Sequence, residues 1–130
     1  MDAYFINSSI KSSNAEISLK CKLRKIACGG THTLAITNTW DVLSWGFGTF
    51  GQLGVPGKKS LPIPTLINFG KDLKFRKIYC GYAHSMAIAK GVNQVYTWGD
   101  GSKGQLGKRS SEINDPSEVD DLTGIEILTG

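Results

Sequence analysis

Glycines that follow a tryptophan have a spacing that suits phosphate chemistry. They occur twice with the spacing Gly-x-Gly-x-x-Gly, as Gly46, Gly48 and Gly51 and again as Gly99, Gly101 and Gly104. In dinucleotide-binding proteins this spacing cradles a pyrophosphate, provided that the third glycine opens a helix whose amides face the phosphates. Here Gln-Leu-Gly and a polar, proline-containing stretch follow, and these do not start a helix. We therefore predict that the glycines serve tight turns and close backbone approach, and that no cofactor binds.

Cysteines and histidines form a second set with possible chemistry. Cys28 precedes His32 and Cys80 precedes His84, each with three residues between them. Two such pairs could supply four ligands to a tetrahedral zinc ion. The two pairs occupy equivalent positions in neighbouring repeats, and because such repeats point radially apart, we expect the four side chains not to converge on one ion. We therefore interpret the cysteines and histidines as packing residues and predict no metal. No carboxylate recurs beside the histidines to activate a serine or threonine, and we predict no catalytic residue.

Both sets belong to a pattern that occurs twice in the chain. Residues 24–37 return as 76–89 at an offset of 52, and Trp45–Gly54 return as Trp98–Gly107 at an offset of 53. We interpret the recurring positions as a structural framework. Its members are Cys28, Gly29, His32, Trp45, Gly46, Gly48, Gly51, Gln52, Leu53 and Gly54 in the first copy, and Cys80, Gly81, His84, Trp98, Gly99, Gly101, Gly104, Gln105, Leu106 and Gly107 in the second.

The elements that position this framework are predicted to be short strands. His32, Leu34 and Ile36 fall on one face of a strand, while smaller side chains fall on the other, which suits a strand buried on both sides. Similar runs give about four strands per copy, and no stretch has the period of an amphipathic helix. Repeats of this length and strand content are typical of propeller blades. The predicted fold is all-β: an incomplete β-propeller of about two four-stranded blades plus fragments.

The predicted boundaries follow from the repeat. Residues 1–14 are rich in serine and asparagine and are predicted to be irregular, and 15–130 are assigned to propeller repeats. Repeat one covers about 24–75 and repeat two about 76–126, while 127–130 begin a third copy. Two blades are too few to close a ring, so we expect a fragment of a longer propeller or self-association of several copies.

The pattern Cys-Gly-x-x-His-x-x-Ala-Ile, followed by Trp-Gly-x-Gly-x-x-Gly-Gln-Leu-Gly, resembles the repeat of the regulator of chromosome condensation family. The resemblance covers residues 24–107 and implies that the blades belong to a seven-bladed propeller. It also implies functions found in that family, namely guanine-nucleotide exchange on a small GTPase, chromatin binding or scaffolding. One departure is Trp40, which stands where the second copy has Gly91, so a tight glycine hairpin is not expected there.

Charge and cysteine content narrow the class of protein further. The net charge is +4, but residues 1–99 carry 12 basic and 4 acidic groups, a balance of +8, whereas 100–130 carry 3 and 7, a balance of −4. Three cysteines do not suggest a disulfide framework, and no apolar run has the length of a membrane span. We predict an intracellular protein, cytoplasmic or nuclear, with no membrane partner.

The predicted function is a non-catalytic protein-interaction module, from an exchange factor or a scaffold. The alternative is a surface for nucleic acid or chromatin that uses the basic residues of 11–77. Lysines on an edge strand can also serve only to deter pairing with other strands. The candidate partner-facing residues are Lys20, Lys22, Arg24, Lys25, Arg76 and Lys77.

Overall fold

A computed structural model describes residues 4–12, 15–69, 72–91, 94–107 and 112–118, with side chains for 22–69, 72–91 and 94–107. No helix within these ranges has the length and apolar character needed to cross a membrane. The regular elements of the described ranges are nine strands: β1 (Tyr4–Ser12), β2 (Ala15–Cys28), β3 (His32–Thr37), β4 (Val42–Gly46), β5 (Leu61–Leu66), β6 (Phe75–Cys80), β7 (His84–Ala89), β8 (Val95–Asp100) and β9 (Glu112–Glu118).

The first sheet contains the first copy of the repeat. The carboxyl-terminal part of β2 pairs with β3, β3 with β4, and β4 with β5, all antiparallel. Leu34, Ala35 and Ile36 are all completely buried, as the alternation of large and small side chains on β3 predicts for a strand covered on both faces. This sheet is therefore the predicted blade.

A further strand extends this first sheet. β1 pairs with β2 along its whole length, from Tyr4 opposite Leu23 to Ser12 opposite Ala15. It also meets β5 through a parallel pairing of Lys11 with Thr65, which closes the sheet into a barrel. The prediction of an irregular segment over 1–14 is therefore wrong for Tyr4–Ser12. Polar residues do not prevent a strand whose backbone groups find partners on β2 and β5.

The second sheet repeats the first blade in the same order, β6-β7-β8-β9, with antiparallel pairing throughout. The register is also repeated. His84 lies opposite Gly99 as His32 lies opposite Gly46. An irregularity in the ladder recurs as well, between Leu23 and Lys25 in β2 and at the equivalent place in β6. The sequence repeat is thus a structural repeat.

The main core lies between the two blades. One face of the first blade contributes Leu34 and Ile36, and the second blade contributes Tyr96 and Trp98 from its own facing side. Phe69 packs against both Tyr96 and Trp98. Its ring centroid lies 5.6 Å from that of Trp98 and 5.6 Å from that of Tyr96, and both contacts are edge-on. Edge-to-face rings at these distances add to the stabilisation from burial. Apolar packing therefore fixes how the blades sit together.

The turn at Trp40 shows how the departure from a glycine hairpin is accommodated. Trp40 adopts a φ of 65°, and Gly91 at the corresponding turn has a φ of 80°. A positive φ is strained for a bulky residue. The strain is offset by contacts: the Arg24 guanidinium lies 4.0 Å and the Lys90 ammonium 3.9 Å from the indole centroid. The main-chain oxygen of Trp40 also accepts a hydrogen bond from the Phe75 amide at 2.9 Å.

Candidate functional site

The glycine loops bind their own amides. In the first loop the Gly48 amide donates to Ser60 Oγ at 3.1 Å, the Phe50 amide to Gln52 Oε1 at 2.9 Å, and the Gly51 amide to the Gly48 oxygen at 3.0 Å. Amides that already have acceptors within the loop do not converge on a phosphate. The loop therefore has the geometry of a self-contained turn.

Each loop is anchored to its own blade by the same contact. The Ser44 hydroxyl donates to the Leu53 oxygen at 2.7 Å, and the Thr97 hydroxyl donates to the Leu106 oxygen at 2.8 Å. Both leucine side chains are buried. The leucine of the Gln-Leu-Gly segment thus anchors the loop in the core. The burial of these side chains explains why leucine recurs there.

The glycine of the Cys-Gly-x-x-His segment makes room for the histidine. A Cβ placed on Gly29 would overlap the imidazole of His32, and one placed on Gly81 would overlap the imidazole of His84. The ring lies across the backbone where any side chain would stand. Spacing between glycine and histidine in both copies therefore has a steric cause.

His32 joins the two blades. Its Nε2 lies 2.8 Å from Ser85 Oγ, and that hydroxyl donates at 2.8 Å to the main-chain oxygen of Gln52. Because the single hydroxyl proton goes to Gln52, the histidine must donate from Nε2. The same Gln52 oxygen accepts from Trp98 Nε1 at 2.9 Å. All four residues are buried, so this network is a hydrogen-bonded joint between blades.

The environment of His32 makes the joint sensitive to acid. Burial, and then the nearby charge of His84, lower the pKa of His32 below its ordinary value of 6.5. The unfolded chain therefore takes up this proton at a higher pH than the folded chain does. Stability from this group is complete above about pH 6.5 and is lost as the pH falls through the lower, folded pKa.

We accordingly expect the free energy of unfolding to decrease below about pH 6.5, with a slope that approaches about 1.4 kcal/mol per pH unit for one proton. Chemical denaturation between pH 8 and pH 5 measures it. The variant His32→Gln, which cannot titrate, should lose this part of the slope. An unchanged slope in His32→Gln would show that other groups cause the acid sensitivity.

Cys28 and Cys80 do not form a cluster of metal ligands with other residues that the structure describes. Cys28 is exposed, whereas the Cys80 thiol is directed at the Ala27 oxygen at 3.5 Å. Burial raises the pKa of the Cys80 thiol to about 12, so the thiol is protonated at neutral pH. Within the described ranges no three His, Cys, Asp or Glu side chains converge.

The basic residues do not all share one face. The Arg24 side chain turns onto the Asn38 oxygen at 3.3 Å and onto Trp40. Lys22 is exposed on β2, and the position of Lys20 is described for its backbone alone. A break in the ladder falls between Leu23 and Lys25, and Lys22 and Arg24 are both exposed on either side of the buried Leu23.

Lys25, by contrast, meets the second blade. Burial, and then hydrogen bonding and repulsion from Lys77, lower the pKa of Lys25, and Arg76 adds to the repulsion. The two lysines are half-buried repeat counterparts on β2 and β6, strands that lie side by side. This pair brings two positive charges together between the blades.

Three aromatic side chains are exposed at loop positions for which the sequence predicted no functional role. Phe47 and Phe50 are 43% and 45% exposed on the first glycine loop, and Tyr82 is 76% exposed on the turn between β6 and β7. The corresponding positions are Asp100, Lys103 and Gly30. The sequence does mark these positions, because they are places at which the two otherwise similar copies differ.

These features define two adjacent blades of a β-propeller joined by a repeated motif. The sequence model of the regulator of chromosome condensation (RCC1) repeat matches residues 41–88 and 93–128, and a second RCC1 repeat model matches 23–52 and 75–105. The chain therefore belongs to the RCC1 repeat family, as the motif predicted.

Relatives of known name share the repeats. The chain is 37% identical over 105 residues to the human Probable E3 ubiquitin-protein ligase HERC6, covering 78% of this chain and 10% of that protein. It is 33% identical over 102 residues to the Arabidopsis thaliana Ultraviolet-B receptor UVR8, covering 78% of this chain and 23% of that protein. The chain thus spans a quarter or less of the length of these relatives.

Solved structures show the same fold. Human WBSCR16 superposes with a TM-score of 0.74 at 21% identity, over 87% of this chain and 29% of that one. Prp20p from Saccharomyces cerevisiae, described with its binding properties to Gsp1p and histones, superposes with a TM-score of 0.68 at 22% identity over 84% of this chain and 30% of that one. At these identities the likeness establishes the fold.

Proposed function

We propose that this chain is a non-catalytic protein-interaction module. The proposal rests on a difference between the residues that recur in both copies, many of which are buried, and loop residues that differ between the copies and are exposed. Repeated residues such as His32, Gln52 and Trp98 are buried, and His32 Nε2, the main-chain oxygen of Gln52 and Trp98 Nε1 take part in the joint between blades. The exposed loop positions differ between copies and present large aromatic side chains, which are enriched at the centres of protein interfaces.

The relatives favour protein partners. Prp20p is described by its binding to Gsp1p and histones, and another structure is described as yeast RCC1 (Prp20) bound to Kap60. For this chain we infer an intracellular partner that is a protein, with a small GTPase as one candidate and scaffolding as the other role. Nucleotide exchange, where it occurs, would act by binding, and we assign no catalytic residue.

Site-specific photocrosslinking tests the proposal. A benzophenone amino acid is placed at Thr49, an exposed position between Phe47 and Phe50, and for comparison at Thr39, an exposed position on the turn between β3 and β4. In cells of the source organism we expect discrete protein adducts from position 49 that are absent from position 39. Identical adducts from both positions, or adducts to nucleic acid alone, would contradict the proposal.

The alternative function is nucleic-acid binding, and the apposition of Lys25 and Lys77 is the observation that favours it. Phosphate contacts make affinity fall steeply with salt, because bound counterions are released. If this alternative holds, affinity for a duplex DNA should fall as salt rises, and Lys25→Gln with Lys77→Gln should reduce the slope. No binding at low salt would remove it.

A further inference from the structure

We infer that the exposed aromatic rim, defined as Phe47, Phe50 and Tyr82, docks a peptide segment that has an apolar anchor flanked by acidic side chains. This inference rests on the proposed function and specifies the surface and the chemistry of the partner. The three rings lie at the same end of both sheets, where β4 ends and where the turns after β2 and β6 begin.

Backbone contacts bring Tyr82 and Phe47, from different blades, to the same turn. The Tyr82 ring lies against the backbone of Gly30, and the Gly30 amide donates to the Tyr82 oxygen at 3.1 Å. The next residue, Thr31, accepts at its oxygen a hydrogen bond of 2.9 Å from the Phe47 amide. Tyr82 from the second blade and Phe47 from the first therefore flank one short turn.

The rim is held in place by the framework beneath it. Gly46 precedes Phe47 with a φ of 112°, and the Phe50 amide is fixed by the buried side chain of Gln52 at 2.9 Å. A backbone that is already fixed loses little conformational entropy on binding, which favours affinity. An apolar side chain of a partner would find three exposed aromatic rings at this site.

Charge gives the rim a direction. On the side of the first blade, the Gly48 amide donates to Ser60 Oγ, and the main chain of the exposed Lys59 lies against Gly48, while the Lys59 side chain runs past Gly57. The preceding Gly57 and Lys58 both have positive φ, 86° and 50°, so this lysine segment is a tight turn that projects from the surface. These ammonium groups complement carboxylates of a peptide anchored on the rings.

The opposite side of the rim carries the carboxylate of Asp100, with the charge of Lys103 near it. The Asp100 amide donates to the oxygen of Ala83, the residue after Tyr82, at 2.9 Å. Hydrogen bonds from Ser102 lower the pKa of Asp100, so its carboxylate is ionised at neutral pH. A phosphate backbone running over the rings would meet this negative charge, whereas a peptide with its acidic residues on the lysine side avoids it. The observations therefore favour a peptide over a single-stranded nucleic acid, which aromatic rings can also bind.

Fluorescence anisotropy with defined probes tests the inference on the full chain. Three labelled peptides of equal length carry a Trp-Leu centre flanked by glutamates, the same centre flanked by lysines, and a Gly-Ser centre flanked by glutamates; an oligo-dT strand is the fourth probe. We expect the first peptide to bind at least about tenfold more tightly than the other two. Equal affinity for all three peptides would overturn the inference.

Variants identify the surface. Tyr82→Ser should weaken binding of the first peptide at least about tenfold, and Lys59→Glu should weaken it by a smaller factor. Tyr79→Ser is the matched control, because Tyr79 is 37% exposed on β6 and lies outside the rim. Equal effects at Tyr79 and Tyr82, or a Tyr82 effect on oligo-dT alone, would contradict the inference.

The two proposals fail separately. If position 49 crosslinks to proteins but the acidic peptide with the Trp-Leu centre does not bind, the assigned partner chemistry is wrong and the interaction module stands. If position 49 gives no protein adduct, the proposed function itself is wrong. Circular dichroism of each variant confirms that a loss of binding does not reflect a loss of fold.

Discussion

Replacement of Trp98 by alanine is expected to lower the free energy of unfolding by about 3–5 kcal/mol. The indole is completely buried in the core between the blades, and its Nε1 donates to the Gln52 oxygen at 2.9 Å. The truncation would remove the largest of the fully buried side chains that the structure describes, leave a cavity against Phe69, and leave Gln52 with one hydrogen bond fewer. This one change therefore weakens both the apolar and the polar parts of the joint.

Trp45 provides the matched control, because it occupies the same repeat position but is only half-buried. Trp45→Ala should cost clearly less, about 1–3 kcal/mol, since less apolar surface is lost from the interior. Urea unfolding, followed by circular dichroism so that each variant is compared by the same signal, measures both. Equal losses at the two tryptophans would show that Trp98 has no special role between blades.

Gly99→Ala is expected to cost about 3 kcal/mol or more, for two independent reasons. Gly99 has a φ of 106°, which residues with a side chain rarely adopt. A Cβ at this position would also lie 2.6 Å from the Ala83 oxygen and 2.8 Å from the His84 Cα, both of them backbone atoms that cannot move aside easily. Strand β8, which contains Gly99, would have to separate from β7 to relieve the overlap.

Gly91→Ala isolates the first of these reasons. Gly91 has a φ of 80°, but nothing lies within 4 Å of the place where a Cβ would stand. Its cost should therefore be limited to the backbone strain, about 1–2 kcal/mol. Similar losses at Gly91 and Gly99 in the same unfolding assay would show that close packing beneath the tryptophan is not the reason for the recurring Trp-Gly pair.

Much of the blade architecture was predictable because it depends on local patterns that occur twice. The alternation of large and small residues on β3 predicts a strand covered on both faces, and Ala35 and Ile36 are indeed completely buried. Glycines such as Gly51 and Gly54 have φ values of 78° and 69°, as the prediction of tight turns requires. Repetition helped because a pattern that occurs by chance rarely returns in register.

Other features depend on tertiary contacts that leave no pattern in the sequence. Pairing of β1 with β5 closes the first sheet and turns a polar segment into a strand. Ser85 and Trp98 are joined through a main-chain oxygen of Gln52, and any residue carries such an oxygen. Trp40 holds a conformation typical of glycine because two cations from distant positions hold its ring.

The partner-facing residues were harder still to predict. The framework residues draw attention because they recur, yet recurrence here reflects packing. Phe47 and Tyr82 lack counterparts of the same type, and their exposure becomes evident only when the loops are folded. The repeat boundaries near 24, 76 and 127, together with the roles of the basic residues, remain predictions.

A double-mutant cycle across the joint between blades tests the role of the repeated motif most directly. The free energies of unfolding of His32→Ala, Ser85→Ala and the double variant are compared with that of the unaltered chain. Because the two side chains are in contact at 2.8 Å within a buried network, we predict a coupling energy of about 1–2 kcal/mol. Additive effects, within about 0.3–0.5 kcal/mol, would mean that the recurring histidine does not join the blades.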